Sequence, residues 1–245
     1  MRKFITFGGP TERFHDNVKR LCNEAKELDY FDEIKGFTEQ DIMKDTDFWN
    51  KHKDFIQSNK RGYGYWVWKP YLISKELENM QENDILLYLD AGCQLNKYAK
   101  TRFFEYIDAL NNDINNYGIV SFKTPHREVE WTKKEVFDYF SFWENKNIKD
   151  TENQHQCMSG VILMRKTDHS CSLMRLWKNL NEKYSLVNDI ISNEECNGFM
   201  ENRHDQSIYS MLVYKFGSVK FNDETSYFAD NNINPYPFVA RRLTH

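Results

Sequence analysis

The run Ile85-Leu86-Leu87-Tyr88-Leu89, closed by Asp90, constrains the fold more than any other part of the chain. Consecutive apolar residues without polar alternation suit a strand covered on both faces, as in the centre of a sheet with helices on either side. The run stops at a carboxylate followed by Ala91, Gly92 and Cys93. In open α/β sheets, ligands bind beyond the carboxyl ends of strands. An Asp there, followed by two small residues, leaves room for a phosphate ligand and a hard cation such as Mn²⁺ or Mg²⁺. A strand-end Asp can equally cap a turn, and spacing alone supports both uses.

Around this strand the pattern alternates. Residues 3–7 read as a short buried strand ending at Gly8-Gly9-Pro10. Phe14, Val18, Leu21, Cys22, Ala25 and Leu28 then share one helical face, and residues 31–37 suit a second strand. Strand, helix and strand at this spacing predict an opening βαβ unit. Phe48, Trp49, His52 and Phe55 predict a helix over Thr46–Ser58, and another follows Pro70. Further strands are expected at 117–122, 160–164 and 219–221, with helices at 171–184 and 205–216. Gly217 can stop the last helix, in which Ile208, Met211, Leu212 and Lys215 share one side. Residues 124–158 read as an irregular insertion lining a cleft, and the tail after Tyr227 as a surface wrap. With no repeat, low-complexity tract or linker, residues 1–245 read as one domain.

Composition removes several classes of function. Net charge is -4 with no basic block, so no nucleic-acid partner is expected. The cysteines number five and form no Cys-x-x-Cys pair, which points to reduced, buried thiols. No apolar run reaches the ~18 residues of a membrane span, and Phe4-Ile5-Thr6-Phe7 is too short for a signal peptide. A soluble cytoplasmic protein is therefore expected, in the host's cytoplasm for a viral chain. Aromatic residues make up 16%, enough to furnish cleft walls as well as a core. The glycine and nucleophile motifs of common dehydrogenases, NTPases, hydrolases and metalloproteases are missing.

Four further segments carry chemistry. Gly62-Tyr63-Gly64-Tyr65-Trp66-Val67-Trp68-Lys69-Pro70 combines aromatic planes with a cation, which suits a sugar or base beside a phosphate. Trp66 and Trp68 are equally ordinary core anchors. In Asn202-Arg203-His204-Asp205-Gln206, Asp205 is a natural helix N-cap, or else a carboxylate facing a sugar. The charged stretch from His126 to Lys133 reads as a solvated loop or an acceptor-side lid. Gln156-Cys157-Met158-Ser159-Gly160 offers small residues where a substrate can approach the backbone.

Together these segments resemble a family of GT-A glycosyltransferases found in bacteria and large DNA viruses. The matching elements run in order through Ile5-Thr6-Phe7-Gly8-Gly9, the Trp66-Val67-Trp68-Lys69-Pro70 segment, Asp84 to Cys93, Trp131-Thr132-Lys133 and His204-Asp205-Gln206. The resemblance implies a Rossmann-like α/β fold, a mixed sheet flanked by helices. It also implies transfer of a hexose or deoxyhexose from a nucleotide-sugar donor to a glycan or lipid-linked acceptor, as in polysaccharide biosynthesis. Donor contacts would come from Gly8, Trp66, Trp68, Lys69, Asp90, Ala91 and Gly92. His204, Asp205 and Gln206 would lie near the reacting sugar. The family's Asp-x-Asp motif holds Mn²⁺ or Mg²⁺, but here its second position is Gly92. The metal would then rest on Asp90 and a distant ligand such as His245, or Lys69 would carry more of the diphosphate charge. Two other readings are a nucleotidyltransferase forming nucleotide sugars and a non-catalytic carbohydrate-binding protein using exposed Trp66, Trp68 and Trp131. Of the first, Gly8-Gly9-Pro10-Thr11-Glu12-Arg13 is only a faint version of the expected basic glycine loop.

Overall fold

The structure is a computed structural model that describes residues 1–144, 154–191, 194–226 and 235–241. Its centre is a sheet in the order β2 (Glu33–Phe37), β1 (Arg2–Phe7), β3 (Ile85–Asp90), β7 (Val161–Arg165), β5 (Ile119–Arg127), β6 (His155–Cys157). β8 (Val219–Phe221) pairs with the first part of β5. β1, β2, β3, β5 and β8 run one way, while β6 and β7 run against them. The fold is thus an α/β mixed sheet flanked by helices, mostly parallel, as the apolar run of β3 requires.

Alternate residues of the strands feed two apolar layers. Ile5, Leu86, Tyr88, Ile162 and Met164 pack on one face, against the helices Trp68–Glu78, Asp168–Asn181 and Asp205–Phe216. Phe4, Leu87, Leu89, Val161 and Leu163 pack on the other, against Glu12–Leu28 and Lys100–Asn111. β3 is buried on both sides until Asp90.

Several expectations need correcting. Phe14 is exposed, because the helix face that meets the sheet is set by Val18, Leu21 and Ala25. Residues 124–158 are not an irregular insertion where described. β5 extends to Arg127, helices cover Glu128–Trp131 and Lys134–Glu144, and β6 follows. The tail does more than wrap the surface: β9 (Phe238–Val239) pairs with β4 (Gln94–Leu95), and Phe238 is fully buried. The last long helix is buried nearly all round from Asp205 to Val213, so its one-sided reading was too narrow. No helix among the described residues is long and apolar enough to cross a membrane.

Candidate active site

β1 and β3 end along the edge where β7 begins, so residues 7–9, 90–93 and 158–160 come together. With 124–126, 60–69 and 203–206 they wall a cleft of about 1040 Å³. This is the carboxyl edge of the parallel strands, where α/β sheets bind ligands.

Three charged groups form the floor. Lys69, in the first turn of Trp68–Glu78, places Nζ 3.1 Å from Asp90 Oδ1 and 3.0 Å from Asp205 Oδ2. The Lys69 and Asp205 side chains are 2% and 5% exposed, whereas Asp90 is 38% exposed and faces the cleft. Burial pushes the Lys69 amine down, but the charges of Asp205 and Asp90 outweigh it, so its pKa is raised and it stays an ammonium. Burial pushes the Asp205 carboxyl up, Lys69 pulls it down and Asp90 pushes it up again, leaving it above the ordinary value. Tyr88 donates to Asp90 Oδ1 at 2.6 Å, and Ser159 donates to Asp205 Oδ2 at 2.9 Å. A Cβ on Gly160 would stand 2.8 Å from Asp90 Oδ2, so only glycine leaves that carboxylate its place. The turn after Asp90 is clamped by Arg20, which donates to the carbonyls of Ala91 and Cys93, both at 2.8 Å.

The wall is made by an unusual backbone. Gly62, Tyr63, Gly64, Tyr65 and Trp66 all have positive φ. Tyr65 N–H donates to Arg61 O and Trp66 N–H to Gly62 O, so the segment is one turn of left-handed helix. Each non-glycine residue there costs roughly 1–2 kcal/mol. The turn swings Trp66 onto the ring of His204, with centroids 5.2 Å apart, and Tyr65 stacks on the same ring at 5.0 Å. Trp68 points the other way, into the core, and stacks on Phe7 at 3.8 Å. Trp66 and Trp131 are half-buried. The exposed aromatic strip wanted by a carbohydrate-binding module is therefore not formed by these residues.

His204 is also strained. Its φ of 53° and ψ of -118° put it at the first central position of a type II′ turn, closed by Gln206 N–H donating to Arg203 O at 3.0 Å. That position favours glycine. It displaces Asp205 from the expected N-cap role: His204 takes the cap position, and the Asp205 carboxylate turns to Lys69 and Ser159. His204 Nδ1 donates to Val187 O at 2.7 Å, its Nε2 is buried without a hydrogen-bond partner, and burial lowers its pKa to about 4.

Behind the floor a polar chain links Gln206, Ser159 and Gln156, all in segments the sequence singled out, to Glu128, a carboxyl that no sequence signal marked as buried. Glu128 is fully buried and accepts hydrogen bonds from Thr132, at 2.7 Å, and from Ser210. Burial pushes its carboxyl up to about 7. Gln156 donates to Thr132 Oγ1 and accepts from Gln206 Nε2 at 2.8 Å, while Gln206 Oε1 accepts from Ser159 N–H. The Gln206 amide is thus held at the cleft from both ends, by Gln156 in β6 and by Ser159 in the loop that follows. Lys133 is likewise buried, its ammonium donating to Ser185, Asn188 and Ile190, so the stretch from His126 to Lys133 is neither a solvated loop nor a free lid.

The cleft is lined by five cationic side chains, Arg13, Lys60, Arg61, Lys69 and Arg203, against the carboxylates of Asp90 and Asp205. Arg61 is paired with Asp189 and Glu201, Arg203 with Glu201, and Lys69 with the two cleft carboxylates, so much of this positive charge is balanced within the fold. Gly8, Ala91 and Gly92 line it too, as do His204 and Gln206. His245 lies outside the described residues. Among the described residues no three His, Cys, Asp or Glu side chains gather as a metal-ligand set. Mg²⁺ wants six oxygens at roughly 2.0–2.1 Å. Here one open carboxylate faces the cleft with an ammonium against both its oxygens, at 3.1 and 3.4 Å. These residues do not fit a divalent ion.

No protein-family model and no curated protein matches the chain. Among solved structures it is similar to mouse xyloside xylosyltransferase 1 in its apo form, at 11% identity over 91% of this chain and 85% of that one, with a TM-score of 0.46. It is also similar to a glycosyltransferase involved in the glycosylation of the major capsid of PBCV-1. There the identity is 11% over 97% of this chain and 91% of that one, with a TM-score of 0.48.

Proposed function

We propose that the chain is a glycosyltransferase that moves a sugar from a nucleoside-diphosphate sugar to a hydroxyl of a glycan or lipid-linked acceptor. The observation that carries this reading is the open carboxylate of Asp90 at a strand end, on the floor of a cleft that is cationic and aromatic while the chain as a whole is acidic. Such a cleft suits a ligand with a flat ring, a diphosphate and a hydroxyl-rich sugar.

In the reaction the C1–O bond to the diphosphate breaks and the acceptor oxygen bonds to C1. The acceptor proton goes to a base, and the nucleoside diphosphate leaves with the bonding pair. Cations preorganised around the leaving group lower the barrier. Arg13, Lys60 and Arg203 are placed to do this from the cleft wall, with Lys69 beneath. Asp90 receives sugar hydroxyls. If the enzyme inverts, Asp205 takes the acceptor proton, which its raised pKa favours. If it retains, Asp205 and Gln206 steady the donor sugar.

The test is a screen of nucleotide sugars for slow hydrolysis, paired with titration of UDP, GDP and TDP. Release of one nucleoside diphosphate, lost in Asp90→Ala, is expected. Failure of all three nucleotides to bind would end the reading.

A further inference from the structure

We propose that the Lys69 ammonium occupies the place in this cleft that a divalent cation would take, so that donor cleavage needs neither Mn²⁺ nor Mg²⁺. The second clause rests on the transferase reading above; the first stands on the geometry alone.

Two carboxylates from separate elements, Asp90 at the end of β3 and Asp205 at the start of a helix, converge on one point, and Lys69 Nζ fills it at 3.1 and 3.0 Å. Their remaining capacity is partly spent: Asp90 Oδ1 also accepts from Tyr88, and Asp205 Oδ2 from Ser159. The residue two after Asp90 is Gly92, which adds no oxygen to the set from its side chain. A metal ion at these oxygens would stand within a few ångströms of a buried positive charge, in surroundings that screen it poorly. Nor can the ammonium readily leave. Its stem lies in the first turn of a helix buried at Trp68, Lys69 and Pro70, and beside the two carboxylates the ammonium meets the ring of Tyr88 at 5.7 Å. Lys69 brings one positive charge where a metal brings two. The balance of the diphosphate charge would fall to the basic side chains of the cleft wall, Arg13, Lys60, Arg61 and Arg203.

The same geometry makes a reciprocal demand. Remove the ammonium, and Asp90 and Asp205 become two carboxylates with a gap between them, the beginnings of a divalent site. Mn²⁺ alone, titrated into the full chain and followed by electron paramagnetic resonance, tests this without any substrate. Wild type is expected to show no saturable site. Lys69→Met, checked for folding by circular dichroism, is expected to gain one that Asp90→Asn removes again. Saturable binding to wild type that Asp90→Asn abolishes would overturn the proposal, and so would a folded Lys69→Met that gains no site. In the activity arm, an enzyme that depends on a metal as Lewis acid should lose on the order of a hundredfold or more in EDTA. This one is expected to keep its rate of donor hydrolysis. Loss in EDTA with recovery in Mn²⁺ would overturn the proposal. If no nucleotide sugar is cleaved under any condition, the transferase reading fails instead, and the Mn²⁺ titration still decides the place of Lys69.

Discussion

Asp90, Lys69 and Asp205 lie at the ends of regular elements and none has a positive φ, whereas the wall above them is left-handed at every residue from Gly62 to Trp66 and again at His204. The floor stores its cost as buried charge and the wall stores its cost as backbone conformation. Strain of both kinds concentrates where ligands bind. The difference means that the two regions should fail in different ways, and substitution can tell them apart.

The largest effect is expected at Lys69. In metal-free buffer, Lys69→Ala leaves Asp205 buried without its counter-charge, and breaking a buried pair from one side costs about 3–5 kcal/mol. Chemical denaturation should show that loss, together with loss of donor hydrolysis. Adding Asp205→Asn should restore most of the stability and none of the activity. If the double variant is no more stable than the single, the floor is not held by charge.

Asp90→Ala is the next test and should separate activity from stability. Asp90 is the exposed member of the triad, and its removal leaves Lys69 paired with Asp205. Donor turnover is expected to fall on the order of 10²–10³-fold, the scale seen when one preorganised polar group is removed from a transition state. The unfolding midpoint should barely move. A variant that keeps full activity would return Asp90 to the role of turn residue.

The wall is tested by Gly64→Ala. Gly64 has a φ of 82°, and an added Cβ would stand 2.6 Å from Ile56 Cγ1 and 3.0 Å from its Cα. Left-handed strain and the clash together should cost roughly 2–3 kcal/mol. Donor affinity should fall as well, because the turn that carries Trp66 must shift. Lost stability with unchanged affinity would make the wall a structural device only.

The floor was more legible in the sequence than the wall, for a physical reason. Strand periodicity and the abrupt end at Asp90 follow from burial, and burial is written in residue types. Tyr88 could have been found on the same basis, since it lies two residues before Asp90 and shares its face. Lys69 was singled out, but as a phosphate contact. Its pairing with Asp205 depends on 135 intervening residues of topology that no local pattern encodes. The left-handed turn was invisible because Tyr63, Tyr65 and Trp66 are residue types that almost never take that conformation. Read by residue type, they suggest only aromatic planes beside a cation. Glu128 was hidden too, because a charged residue in a polar stretch ordinarily faces water, and only the fold buries it.

His204 gives the finest discrimination between the two kinds of cost, because it carries both. Its backbone sits where glycine is favoured, so His204→Gly should relieve strain of order 1 kcal/mol while losing the stack on Tyr65 and Trp66. Near pH 7 these effects oppose each other, and little net change is expected. The acid side differs. The folded pKa of His204 is lowered to about 4 from 6.5, because burial disfavours the imidazolium. Below pH 6.5 the unfolded chain takes up a proton that the folded chain refuses, so wild-type stability falls as the pH drops toward 4, and the contribution is whole above 6.5. The glycine variant has no such group. Relative to wild type it should therefore gain about 2 kcal/mol between pH 7 and pH 5. Parallel stability curves for the two proteins over that range would show that His204 accepts a proton in the folded state, pairing Nε2 with Asp189, which stands 3.6 Å away. The wall would then be charged like the floor, and the contrast between them would be one of degree.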